Sequence, residues 1–205
     1  GDAIGELSGL SWATAMNELR LALALAGCRT IDSLFIGEGT YLPSQLNGRA
    51  SSFVIPANTK VFGGFPEGGS PFSLRNPAAY VAELSGDIGV ANNNADNVYH
   101  VVRVDSAAQG AILDGVTISH GNANGTGDNS QGAAVFCLGG LTLQNVIMDN
   151  NTGLTNGQQI RVRNAIAHLK LKDCTIYSPD DAFTKLLNTN GGQVTIQGNT
   201  QFLKE

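Results

Sequence analysis

The sequence predicts an all-β protein, a parallel β-solenoid of roughly five or six coils with an N-terminal capping α-helix. Three observations carry that prediction. An eight-residue phrase occurs as 111–118, 141–148 and 169–176, and a degraded copy follows at 194–201. The copies begin 30, 28 and 25 residues apart, a period typical of stacked coils or blades. Within the first three, apolar side chains take places one, three, six and eight, while place five is Gly115, Asn145, Asp173 and, in the fourth, Gly198. Residues two apart share one face of a strand, so the jump in phase after place three demands a bend. Gly, Asn and Asp tolerate the left-handed backbone that such a bend needs. Each phrase therefore reads as strand, bend, strand, and no single phrase can bury its own apolar face without a neighbour stacked on it.

Composition agrees and excludes several function classes. A chain of 205 residues is long enough for one domain with a sizeable core. Its 26 glycines and 14% charged residues suit many tight bends and few exposed helices. A formal charge of -5 without a basic run argues against nucleic acid as a partner. No stretch of about 18 apolar residues is present, so no transmembrane segment is expected. Gly1 reads as a trimmed start, and the lack of a leader-like run there carries no weight against export. Cys28, Cys137 and Cys174 have no metal-ligand spacing and cannot all pair, while Cys174 takes an inward place and is expected to be a buried thiol.

In chain order, residues 11–27 are expected to form the capping helix, with Ser11 at its start and Gly27 at its end. Trp12, Ala15, Met16, Leu19, Leu23 and Ala26 fall on one helical face, which suits a plug over the otherwise open first coil. Short extended pieces punctuated by Gly and Pro follow at 33–36, 52–55, 60–65 and 80–84 as the early coils. The coils run to residue 198, and 199–205 reads as a polar end cap, since Asn199 and Gln201 stand where earlier copies are apolar. At ~4.8 Å per coil the stack is on the order of 30 Å long.

An ordered series of motifs runs through this first half. It comprises Gly9-Leu10-Ser11-Trp12-Ala13-Thr14-Ala15, Gly39-Thr40-Tyr41-Leu42-Pro43, Val61-Phe62-Gly63-Gly64-Phe65 and Leu84-Ser85-Gly86-Asp87-Ile88-Gly89. Asp96-Asn97-Val98-Tyr99-His100-Val101-Val102 and the run from Leu113 to Asn124 complete it. The series, over roughly 8–125, resembles a family of secreted bacterial surface proteins with a right-handed parallel β-helix of the pectin-lyase-like type. The resemblance implies that fold and a secreted or cell-surface location, but supplies no activity. Relatives usually run on for many more coils.

Enzymes of that fold cleave acidic polysaccharides with calcium-holding carboxylates and a basic residue, or hydrolyse glycosides with clustered Asp. The weak catalytic candidates are Asp180 and Asp181, followed by Lys185, where adjacent carboxylates can share a proton or a cation. The same Ser178-Pro179-Asp180-Asp181 run is also an ordinary turn. Arg161, Arg163, Lys170 and Lys172 form the densest basic group, which reads either as a grip for an anionic glycan or as a solvated surface. Asp87, Asn92, Asn93, Asn94, Asp96 and Asn97 make an oxygen-rich loop for which calcium is a conceivable ligand, with Asp87 and Asp96 its weak metal candidates. Residues 121–131 form a second Gly/Asn/Asp loop, an excursion on the flank where ligand-binding loops sit. His120 lies just after its strand within reach of a ligand, whereas His100 reads as a structural side chain. Aromatics are sparse at 6%, but Tyr41, Phe65, Phe72, Tyr80 and Tyr177 are candidates for a stacking surface.

With no Ser/His/Asp set, phosphate loop or zinc signature, the leading expectation is a non-catalytic extracellular module that binds carbohydrate or another cell-surface component. Two alternatives stand beside it. One is a polysaccharide lyase or glycoside hydrolase, built on Asp180, Asp181, Lys170 and Lys172 or on the 121–131 loop; the other is a structural spacer in a larger surface assembly.

Overall fold

The computed structural model describes residues 8–29, 31–155, 157–178 and 186–204. They form a parallel β-solenoid of six turns, each laying one strand on a first sheet and one on a second, with a third sheet closing five of them. The first coil holds β1 (Ser33–Gly37), β2 (Gly39–Tyr41) and β3 (Phe53–Val54). The second holds β4 (Lys60–Phe65), β5 (Ala82–Ser85) and β6 (Val102–Val104). The third holds β7 (Ala111–Asp114), β8 (Thr117–Ser119), β9 (Asn122–Ala123) and β10 (Val135–Cys137). The fourth holds β11 (Gly140–Gln144), β12 (Ile147–Asp149), β13 (Thr152–Gly153) and β14 (Ile160–Val162). The fifth holds β15 (His168–Lys172), β16 (Thr175–Ser178) and β17 (Leu187–Asn188), and the sixth β18 (Gln193–Gln197) and β19 (Gln201–Lys204). Strands β9 and β13 make a small fourth sheet.

The recurring phrases lie on one another in register, as their spacing predicts. Leu34, Val61, Leu113, Leu143, Leu171 and Ile196 form one column through the first sheet. Tyr41, Leu84, Ile118, Met148, Ile176 and Phe202 form the column of the second. Phe53, Val102, Val135, Ile160 and Leu187 form that of the third. Apart from Ile196, the members of these columns lie in the core cluster or pack against it. The bends between first and second sheets fall on place five of each phrase, with φ of 71° at Gly115, 50° at Asn145, 54° at Asp173 and 62° at Gly198. That is the left-handed region those residue types tolerate best.

Three features depart from the sequence expectation. The helix does not begin at Ser11: a 3₁₀ turn covers Trp12–Thr14, and α1 spans Leu19–Cys28. The break has a packing cause. Trp12 docks on Phe65 at 5.2 Å between ring centroids and lies over Gly69, where any β-carbon would collide with the indole. The tryptophan thus belongs to the outer wall, while Leu19, Leu23 and Ala26 of α1 are buried, Leu19 and Leu23 within the main core cluster.

In the sixth coil the bend is one residue longer, so Phe202 and not Gln201 takes the inward place opposite Ile176. Residues Gln201–Lys204 are accordingly a strand of the second sheet, more than a polar tail. Ile196 is 50% exposed although Val61, Leu113, Leu143 and Leu171 of its column are fully buried, because no further described layer lies on it. Finally, the regular third sheet, with its own apolar column, has no counterpart in the repeated phrase. Among the described residues no helix is long and apolar enough to cross a membrane.

Candidate functional site

Because inward places are fixed by the core, chemistry falls to the outward places and to the loops between strands. On the outer face of the first sheet, alternation sets Phe35, Phe62, Asp114, Gln144, Lys172 and Gln197 in one row. Lys60, Ile112, Thr142, Lys170 and Thr195 form the row beside it. The first row changes character along its length. At one end Phe35 and Phe62 stack at 5.8 Å, and Phe72 meets both edge-on at 6.0 and 5.3 Å. Phe35 remains 49% and Phe72 54% exposed, an unusual outlay of aromatic surface to water. At the other end stand amides, hydroxyls and the two lysines.

Arg75 joins the two ends. Its guanidinium lies 5.6 and 5.7 Å from the Phe62 and Phe72 ring centroids, and it donates to the carbonyl of Gly63. It also donates to the Asp114 carbonyl at 2.6 Å and to its carboxylate at 2.8 Å. Asn145, at the bend of the next coil, donates to the same carboxylate oxygen at 2.9 Å. This ion pair is almost fully buried, so it fixes the 66–81 segment against the coils and holds Phe72 in place.

The outer face of the third sheet is built differently. Its outward row runs Val54, Arg103, Phe136, Arg161, Asn188. The excursion between β9 and β10 folds back over this row. His100 lies against Phe136 at 4.7 Å and donates from Nδ1 to the loop carbonyl of Gly132 at 3.0 Å. Asn188 donates to Gln131 at 3.1 Å, and Arg163 grips the carboxylate of Asp128. Gly132 itself, at φ +71°, sits on Arg161 so closely that a β-carbon there would come 2.8 Å from that of the arginine. As a result Phe136 and Arg161, although outward on their strands, are only 2% and 7% exposed. Burial, followed by the charge of Arg163, lowers the Arg161 pKa. Burial likewise holds the His100 pKa below its ordinary value, so that ring is neutral near pH 7.

A third polar group lies at the end of the second sheet. His120 follows β8 with a left-handed φ of 59°. Its Nδ1 is 2.9 Å from Ser119 Oγ and 3.4 Å from Ser85 Oγ. Ser119 donates to Glu83 at 2.6 Å, and Thr40 donates to the other oxygen of that carboxylate at 3.0 Å. The Ser119 proton is thereby committed to Glu83, which leaves its oxygen to accept from His120 Nδ1–H and turns Nε2 away from the cluster.

The basic group of the sequence is divided by the fold. Lys170 and Lys172 lie on the first sheet, and Arg161 and Arg163 on the flank of the third, so the four do not make a single stripe. Asp87 accepts from the Asn92 backbone N–H at 2.9 and 3.2 Å, and Asp96 from that of Val90 at 2.9 Å; both carboxylates shape their own loop. Asp180, Asp181 and Lys185 lie outside the described residues. Of the aromatic candidates, Phe72 is exposed, Phe65 is buried, and Tyr41 turns its hydroxyl to the Gly37 carbonyl. The sequence reading missed Phe35, Phe62, Arg75, Asp114 and the third-sheet contact in which the Arg103 guanidinium lies 5.9 Å from the Phe136 ring centroid. Strand alternation through 33–37 and 60–65 carries the signal for Phe35 and Phe62, since each lies between inward residues. Nothing local marks Arg75 as the partner of Asp114, 39 residues away.

These flanks define a β-solenoid with two differently decorated outer faces. No family model, no curated protein and no solved structure matches the chain.

Proposed function

We propose that this chain is a non-catalytic module of an exported, cell-surface protein, with the right-handed, pectin-lyase-like coil that its motif series resembles, and that it binds glycan along the outer face of the first sheet. The observation that carries this reading is the row from Phe35, Phe62 and Phe72 to Gln144, Lys172 and Gln197. Exposed rings offer a platform for the apolar face of a sugar, while amides, hydroxyls and amines at one-strand intervals offer hydrogen bonds along a chain. The rigid ladder presents both without ordering a loop, which keeps the entropic cost of binding low.

The test is binding of the protein to an array of plant, host and bacterial glycans, followed by titration of any hit against Phe72→Ala and Lys172→Gln variants. Saturable binding that weakens about tenfold or more in Phe72→Ala supports the reading. Failure to bind any glycan, or binding indifferent to both changes, overturns it. Production of reducing ends or unsaturated sugars from a bound glycan would instead favour the lyase or hydrolase alternative.

A further inference from the structure

A groove of about 390 Å³ runs along the stack where the first sheet bends into the second, past Gly115, Asn145 and Asp173. It is lined by residues 75–78 of the segment that the Arg75–Asp114 pair fixes to the coils, and by the outward row Thr117, Ile147, Thr175 of the second sheet. Pro77 lies so close to Gly115 that a β-carbon there would come 2.6 Å from its ring. Much of the polar lining is left unpaired by the fold. Asn76 accepts two backbone N–H bonds through Oδ1, at 3.1 and 3.2 Å, which leaves its Nδ2 as a donor. Asn145 commits Nδ2 to Asp114 at 2.9 Å, which leaves its Oδ1 as an acceptor. Asp173 takes the Asn199 N–H on Oδ1 at 2.8 Å, and its Oδ2 has no hydrogen-bond partner among the described residues. The Thr117 and Thr175 hydroxyls have none there either. Ile147, between these threonines on its row, is 42% exposed and gives the groove, with Pro77, an apolar surface.

We propose that this groove is the subsite that selects neutral pyranose units of a bound glycan and rejects uronic acids. The assignment rests on the reading of the chain as a glycan binder, and adds to it the class of sugar. The mixed lining selects the ligand. Sugar hydroxyls both donate and accept, so they can meet Asn76 Nδ2, Asn145 Oδ1, Asp173 Oδ2 and the two threonines together. A ligand of acceptors alone would leave the Asn145 and Asp173 oxygens unmet. The apolar face of a pyranose fits Ile147 and Pro77. Three coils give the groove a length on the order of 10 Å, that of a disaccharide. A uronate would set its carboxylate near Asp173, which has no ion-pair partner among the described residues. Arg75, the cation in the lining, is already held by Asp114, and Lys172 belongs to the outer face of the first sheet.

The experiment is an NMR titration of the 205-residue chain with cellobiose, mannobiose and xylobiose, with digalacturonate as the anionic comparator. At least one neutral disaccharide should move the Asn145 side-chain amide saturably, and should bind about tenfold or more tighter than digalacturonate. Asp173→Asn keeps a residue type that the left-handed bend accepts, as Asn145 shows at the equivalent place, and keeps an acceptor for the Asn199 N–H. It should weaken the neutral sugar about tenfold and narrow its advantage over digalacturonate. Thr175→Val, of nearly equal shape, should weaken it about threefold, and carries the test should Asp173→Asn fail to fold. Shifts confined to Phe72 and Lys172 would overturn the groove and leave the glycan reading intact. Digalacturonate binding as tightly as the neutral sugars, or unchanged affinity in both variants, would overturn it too. No response to any of the four sugars also overturns the groove, and the wider reading then stands or falls on the glycan array.

Discussion

Leu143→Ala tests the architecture most sharply, because its cost can be worked out from position alone. Leu143 is fully buried in the fourth coil, with Leu113 below it and Leu171 above. The substitution deletes three carbons, a transfer loss of about 2.4 kcal/mol at ~0.8 kcal/mol per carbon. Neighbours pinned in ladders on both sides cannot close the gap, and a residual hole of roughly 60 Å³ adds about 1.4 kcal/mol at ~24 cal/mol per Å³. The expected destabilisation is therefore about 4 kcal/mol, within the range measured for such changes. Two controls share its chemistry or its strand. Ile196→Ala truncates the same column, but at a side chain already 50% exposed, and should cost about half as much or less. Thr142→Ala lies one residue away on the outer face and should fall within about 0.5 kcal/mol of the parent. Urea unfolding followed by far-UV circular dichroism measures all three. Equal losses at Leu143 and Thr142, or at Leu143 and Ile196, would refute the assignment of inward and outward places.

Removal of the Asp114 carboxylate in Asp114→Ala should strand the buried Arg75 guanidinium and cost about 3–5 kcal/mol by urea unfolding; a loss below about 1 kcal/mol would show that the pair is dispensable. Burial pushes the Cys137 thiol up to about 11 and raises Cys174 as well, while Cys28 is exposed. A disulfide-exchange reagent at about pH 8 should titrate Cys28 alone in the native protein and all three thiols after denaturation. For His100, burial is the largest cause of a pKa below the ordinary 6.5, with the Gly132 carbonyl and Asp128 opposing it and Arg103 reinforcing it. Below 6.5 the unfolded chain takes up a proton that the folded chain refuses, so this contribution to stability is complete above that pH and is lost as pH falls towards the lowered value. Urea midpoints measured from about pH 7.5 to 5 should fall less steeply in His100→Gln than in the parent.

The stack was legible because its rule is local. A bend that admits only a few residue types, repeated at a coil's length, sets both the phase and the spacing of the apolar places. Residues 111–176 show each of these plainly, and their register follows. Coil six obeyed the rule less well: the extra residue between Gly198 and Phe202 leaves the columns intact but shifts which side chain points inward. The interrupted helix was illegible for a different reason. The apolar face from Trp12 to Ala26 satisfies helical periodicity, yet Trp12 finds a better contact on Phe65 and Gly69, and tertiary packing overrides the pattern.

The decorated flanks lie beyond what a repeat can encode, because a solenoid separates two kinds of constraint. Inward places must satisfy the layers above and below, so their identities are correlated from coil to coil and can be read in one dimension. Outward places answer only to whatever covers them, and that cover comes from loops of unrelated length. Phe136 and Arg161 illustrate the point: both are outward on adjacent strands, and both are buried, Phe136 beneath His100 and Arg161 beneath Gly132 of the 124–132 excursion. Their neighbours on the row, Arg103 and Val54, lie beyond that cover and stay partly open to solvent. Burial on an outward place is thus a property of whatever folds over it, and the period of the coil does not encode it.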